Sequence, residues 1–148
     1  MAGKLIVQYS KTLPDAICPR YAHGPSEDAG MDLFAAEGAE LKPGEWKSVR
    51  TGISVEMPPG YEGQVRPRSG LARRHGLTLL NSPGTIDPGY RGEIQVTLIN
   101  FGPETYQVRA GDRIAQLVVS TYASVQWELS EKLAESERGT RGFGSTGR

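Results

Sequence analysis

The stretch "NSPGTIDPGYRGEIQVTLIN", residues 81–100, puts a turn and a strand side by side. Ile94, Val96 and Leu98 fall on one face of an extended chain and Gln95 and Thr97 on the other, the period of a half-buried strand. Ile99 breaks the alternation and adds apolar surface to the polar side. Upstream, Asp87-Pro88-Gly89 is a turn by its chemistry: proline presets φ at the second turn position and glycine accepts the positive φ that follows. Together these residues predict a hairpin whose loop carries a carboxylate, Asp87, and an aromatic ring, Tyr90, among Gly84, Gly89 and Gly92.

The same grammar runs outward along the chain. Nineteen glycines and ten prolines separate short runs rich in Val, Ile, Leu, Thr and Tyr, and helix-period stretches are nearly absent. Strands are predicted near "LIVQYS", "GMDLFAA", "WKSVRTGISVEM", "EGQVRPR", "GLTLLN", "GEIQVTLIN", "YQVRAGDRIAQLVVSTY" and "VQWEL", with turns at "LKPGEW", "MPPGY", "IDPGY" and "FGPETY". The helical candidates are "SGLARRHG" and a short polar "SEKLAESER" that reads as a tether. The segment "IAQLVV" is apolar on both faces, which suits a two-sheet sandwich or a sheet covered by another subunit.

At 148 residues the chain is the size of one domain, able to bury about 70% of the surface its unfolded form exposes. Seventeen Lys+Arg balance seventeen Asp+Glu, so no net field draws it to nucleic acid or anionic lipid, and any anion site must be local. No stretch reaches membrane-spanning length and the start lacks the h-region of a signal peptide, so a soluble, cytoplasmic protein is expected. One cysteine, Cys18, allows no internal disulfide and too few thiolates for a structural zinc site. His23 and His75 lack ligand spacing.

Five clusters could carry chemistry. In "AGMDL", Asp32 follows a glycine and reads first as a turn aspartate. In "RPRSGLARRHG", Arg68, Ser69 and Gly70 stand where a strand ends and a short helix opens; a guanidinium fork, a hydroxyl and free amides would hold phosphate, or Ser69 simply caps the helix. The predicted hairpin groups Asn81, Asp87 and Tyr90, with backbone groups able to meet a flat ligand edge. In "AGDRIAQLV", Gln116 interrupts an apolar strand and needs hydrogen-bond partners if buried. The closing "RGTRGFGSTGR" is not a Walker A loop, because Ser145 stands in place of the lysine and no helix follows. Its glycines, Arg138, Ser145 and Thr146 nonetheless suit phosphate oxygens, and Phe143 could stack on a base; a linker is the alternative.

In order, "AGMDL", "PRSGL", "GTIDPGYRGE", "GDRIAQLV" and "RGTRGFGSTG" resemble the five motifs of the trimeric deoxyuridine triphosphatase (dUTPase) family, spanning Ala29 to Gly147. The resemblance implies an all-β, jelly-roll-like sandwich or barrel in one domain over residues 1–137, with a flexible glycine-rich arm over 138–148 that acts as a lid. It implies a homotrimer with active sites shared between subunits, and hydrolysis of dUTP to dUMP and pyrophosphate with Mg2+, which supplies dUMP and keeps uracil out of DNA. By the same resemblance Asp87 is the base that activates water for attack on the α-phosphorus. Asn81 and the backbone from Thr85 through Ile86 to Gln95 read the uracil, and Tyr90 lies against the deoxyribose. Arg68, Ser69, Gly70 and Gln116 hold phosphates. Asp32 meets Mg2+ through water, and Arg138, Phe143, Gly144, Ser145 and Thr146 close over the nucleotide. Met31 stands where tyrosine is commoner in the first motif, a packing change that leaves Asp32 in place.

Two alternatives share the fold. A dCTP deaminase needs a carboxylate on the strand after the hairpin, and Ile94–Asn100 has none, with Thr97 about where it would stand. A non-catalytic nucleotide sensor would be supported by loss of Asp87 or the tail, and both are present. A nucleic-acid-binding arm built on Arg138, Arg141 and Arg148 is weakened by zero net charge and a single tail aromatic.

Overall fold

The computed structural model describes residues 4–144, 146 and 147. Its strands are β1 (Gln8–Lys11), β2 (Met31–Phe34), β3 (Ala39–Leu41), β4 (Trp46–Glu56), β5 (Tyr61–Arg66), β6 (Leu77–Leu79), β7 (Gly84–Ile86), β8 (Glu93–Asn100), β9 (Tyr106–Val108) and β10 (Arg113–Thr121). The helix α1 (Ser69–His75) lies between β5 and β6. Two antiparallel four-stranded sheets, ordered β1-β4-β8-β6 and β2-β10-β5-β7, form a jelly-roll-like sandwich, and β3 pairs with β9 at its side. The expected all-β, single-domain fold is the one observed.

The core lies between the sheets. Val49 and Ile53 of β4, Ile94, Val96 and Leu98 of β8, and Ile114, Ala115 and Leu117 of β10 are all buried. Each large aliphatic chain withdrawn from water contributes roughly 1.5–3 kcal/mol, so the alternation in β8 fixes which face of that strand turns inward. Gln95 is exposed and Thr97 half-buried, as the alternation requires, while Ile99 is buried between Trp46 of β4 and Thr78 of β6 in the sheet register.

Several boundaries differ from the sequence expectation. The proposed hairpin is not a hydrogen-bonded one: β7 pairs with β5 in one sheet and β8 with β4 and β6 in the other. Residues 87–92 therefore form a corner between sheets. The run from Tyr106 to Tyr122 is broken into β9 and β10 by a turn at Arg109–Asp112, where the Arg109 amide donates to the Asp112 carboxylate (2.8 Å) and Gly111 takes φ +91°. The three-residue strands β3 and β7 carry too little pattern to be expected from sequence. "VQWEL" is not a strand, since no edge of its own chain pairs with it, and "SEKLAESER" forms no helix. Trp127 and Leu129 stand 92% and 99% exposed. Among the described residues no helix is long and apolar enough to cross a membrane.

Candidate active site

Two sheet-end cavities and the tail hold the residues singled out by sequence. The first cavity, about 220 Å3, opens at the corner where β7 leaves one sheet and β8 enters the other. Asn81, Thr85, Ile86, Asp87, Tyr90 and Gln95 all line it, with Val65, Leu79 and Ile94 supplying apolar walls. Asp87 opens the corner, and its backbone carbonyl accepts from the Tyr90 amide (3.1 Å). Its carboxylate is exposed and, among the described residues, takes no hydrogen bond, so it is available to a ligand or water at the cavity mouth.

Tyr90 is held more closely than the sequence suggests. Its hydroxyl donates to the Glu93 carbonyl (2.9 Å), and its ring lies over Gly92, where a Cβ would come within 2.6 Å of the ring carbon Cζ. Arg91 closes the corner by donating to the Pro88 carbonyl (2.6 Å). Behind it, Glu93 accepts two bonds from the Arg50 guanidinium (3.0 and 2.8 Å) and one from the Thr12 hydroxyl. The Arg50 fork holds the Glu93 carboxyl below its usual range despite burial, and Glu93 in turn raises the Arg50 guanidinium.

The second cavity, about 520 Å3, gathers Asp32, Arg68, Ser69, Gly70 and Gln116. Sheet order explains the gathering. β10 lies between β2 and β5, with Gln116 opposite Asp32 on one side and Arg66 on the other, so three distant segments end together. A register shift between Arg113 and Ala115, the mark of a bulge, lies where the strand meets this cavity. Gln116 is half-buried and donates to the Pro67 carbonyl (3.0 Å), while its amide oxygen lies over Gly30 in the space a Cβ would take, so a side chain there would displace the Gln116 amide.

Asp32 stands between two guanidiniums, 3.5 Å from Arg68 and 3.6 Å from Arg113. Arg68 also donates to the Arg113 carbonyl (3.2 Å) and, in extended conformation, is the N-cap residue of α1. No side chain caps the helix, so the reading of Ser69 as a capping serine does not hold. His23 and Asp28 form a pair on the rim: the His23 amide donates to Asp28 (2.6 Å), which holds that carboxyl low.

The tail lines a cavity of its own with Arg138, Arg141, Gly144 and Thr146. Arg138 and Arg141 each donate to the other's carbonyl (2.9 and 3.0 Å), and Phe143 is wholly exposed at φ +46°. Ser145 lies outside the described residues. The three cavities share no lining residue. Sequence reading misses Arg50, Glu93, Gly30 and Arg113 as parts of these sites. Glu93 and Arg113 lie inside quoted motifs, whereas nothing local to Arg50 signals its pairing across the sheet.

The family model described as dUTPase matches residues 17–147. The chain is 55% identical over its full length to the deoxyuridine 5'-triphosphate nucleotidohydrolase of Solibacter usitatus (strain Ellin6076), whose whole length is also covered. It is 54% identical to that of Clostridium kluyveri over 90% of this chain and 92% of the relative. Among solved structures, the dUTPase of Staphylococcus bacteriophage 80alpha with dUPNHPP superposes at TM-score 0.90 and 28% identity, covering 98% of this chain and all of the phage chain. A mutant dUTPase of the S. aureus phage phi11, described with a structural Mg(II) ion, superposes at TM-score 0.79 and 27% identity over 86% of this chain and 98% of its own. The chain belongs to the dUTPase family, hydrolases that convert dUTP to dUMP.

Proposed function

We propose that Asp87 is the base of this hydrolysis and that the cavity beside it receives the uracil. The observation that carries the reading is the corner itself, which sets a free carboxylate and an aromatic ring on one tight turn at the mouth of a small, partly apolar cavity. Asp87 takes a proton from water as the water oxygen bonds to the α-phosphorus, and the bond to the bridging oxygen breaks to release pyrophosphate. Positioning and charge stabilisation carry most of the acceleration in such transfers. Asn81 and the backbone of Thr85, Ile86 and Gln95 meet the base edge, and close packing there discriminates against thymine's methyl in this reading. One methyl-sized group is worth about 1–3 kcal/mol in such a pocket. Tyr90 faces the deoxyribose.

Arg68, Ser69, Gly70 and Gln116 form the phosphate side. The donor set there suits Mg2+ bound through water: no group of three or more His, Cys, Asp or Glu side chains forms a cage among the described residues, and of the two carboxylates lining the cavity Asp28 is already bonded to His23, which leaves Asp32. Magnesium keeps its waters and binds substrate phosphates rather than all-protein sites. When bound, it would neutralise phosphate charge, with Asp32 holding its water shell.

The active assembly in this reading is a trimer, each site drawing one sheet-end cavity from one chain, the other from a second, and the arm from a third. Three cavities with no common residue support it, as do Val125, Trp127, Leu129 and Leu133, which are largely exposed in the single chain and suit burial against a neighbouring copy. Residues 1–137 form the β domain and 138–148 the lid. A cytoplasmic location accords with a nucleotide substrate. Incubation with Mg2+ and dUTP, dTTP, dCTP or UTP tests the reading. Fast pyrophosphate release from dUTP alone is expected; equal turnover of all four, or ammonia from dCTP, overturns it.

A further inference from the structure

Tyr90 is positioned in part by Arg50, a residue outside the lining of the cavity at whose mouth the ring stands. β4 and β8 change register between Arg50 and Ser54, at a bulge where Gly52 takes φ +70° and Thr51, fully buried, donates to the Ile94 carbonyl (2.6 Å). The bulge leaves Arg50 at the end of its paired run, with its guanidinium on the first residue of β8. A planar fork bonded twice to a carboxylate fixes orientation as well as distance, which a single ammonium cannot do. Glu93 is therefore pinned by its side chain, and its main-chain carbonyl is the acceptor of the Tyr90 hydroxyl. With Gly92 leaving no side chain beneath the ring, these are the contacts that set where the ring stands at the cavity mouth.

We propose that Arg50 and Glu93 are a positioning pair that sets the Tyr90 ring and through it the discrimination between deoxyribose and ribose nucleotides. The inference rests on the reading of Tyr90 as the residue that faces the sugar. Arg50 lies outside the cavity lining, and Glu93, which lines it, acts on the ring through its main-chain carbonyl. Freed from Arg50, the Glu93 carbonyl gains latitude, the ring moves with it, and space opens at the sugar's 2' position.

Steady-state kinetics on dUTP and UTP test this with Arg50→Ala, Arg50→Lys, Glu93→Gln, Tyr90→Phe and the Arg50→Ala/Tyr90→Phe double variant, each with its melting temperature. Arg50→Ala is expected to lower the dUTP/UTP ratio of kcat/KM roughly tenfold, chiefly through a lower KM for UTP as the 2' position opens, the scale of one lost charge-assisted bond. Arg50→Lys, which keeps the charge and one bond, should recover part of the ratio. Because the tyrosine hydroxyl is the link, the double variant should lose no more selectivity than the worse single one. Should Arg50→Ala not fold, Arg50→Lys and Glu93→Gln decide the question by the same ratio. A wild-type ratio in folded variants, with only the melting temperature lowered, overturns the inference and leaves the dUTP reading intact. Wild-type protein that does not prefer dUTP over UTP overturns both.

Discussion

Gly30 illustrates how much of a site can depend on an atom that is missing. It carries no chemistry, yet the Gln116 amide occupies the space a Cβ would need, and that amide is tied to the Pro67 carbonyl just before Arg68. A glycine two residues before Asp32 thus lets β10 bring Gln116 against the phosphate side. Asp87 depends in the opposite way on what it carries. Replacing it by Asn keeps the shape of the corner and removes the proton acceptor. Asp87→Asn is expected to retain dUTP affinity in calorimetry while turnover falls by about 10²–10⁴-fold, the usual worth of a positioned base; unchanged turnover would remove it from that role. Both Asp87 and Tyr90 were legible in the sequence because turn chemistry is local. Arg50 was not, because its partner lies 43 positions along the chain and on another strand.

At the scale of elements, turns were easier to read than pairings. The Pro-Gly turns ending at Gly44 and Gly60 take the expected positive φ (+82° and +84°), although Gly89 does not and the Ala110-Gly111-Asp112 turn lies inside a run that reads as one strand; the partner of a strand depends on edges brought together from far away. That is why the residues of β7 and β8, adjacent in sequence across a turn, look like one hairpin in the sequence while the structure sends them to different sheets. It is also why "VQWEL" has strand-like composition and no strand. One side chain holds the connections on this side of the fold: Asn100, fully buried at the end of β8, donates to the Leu41 and Glu104 carbonyls (2.9 and 2.7 Å) and accepts from the Gly102 amide (2.8 Å). Asn100→Ala leaves those groups short of partners and should cost about 2–4 kcal/mol, read as a lower urea midpoint with an unchanged m-value.

For the whole molecule, the single chain divides the expected site residues among three separate places. β10 unites Asp32, Arg68 and Gln116; the inter-sheet corner unites Asn81, Asp87, Tyr90 and Gln95; the arm stands apart from both. In the proposed trimer their union belongs to the assembly. A chain ending at Glu137 keeps every core residue, so it should sediment as the full-length protein does and melt within a few degrees of it, while losing most dUTP hydrolysis. Full activity of that truncation would return the arm to a linker.

The all-β class, the inward face of β8, the turn that carries Asp87 and the residue types each motif offers a nucleotide are all written in short stretches of the chain. These follow from periodicity and from φ preferences, which act over a few residues. The division of the motifs between two sheet ends, the seating of the Gln116 amide over Gly30 and the link from Arg50 to Tyr90 through Glu93 appear only in the folded chain. Those relations are set by strand order and register, and a hydrogen-bond ladder chooses its partner by the packing of both faces at once, which no short stretch of chain contains.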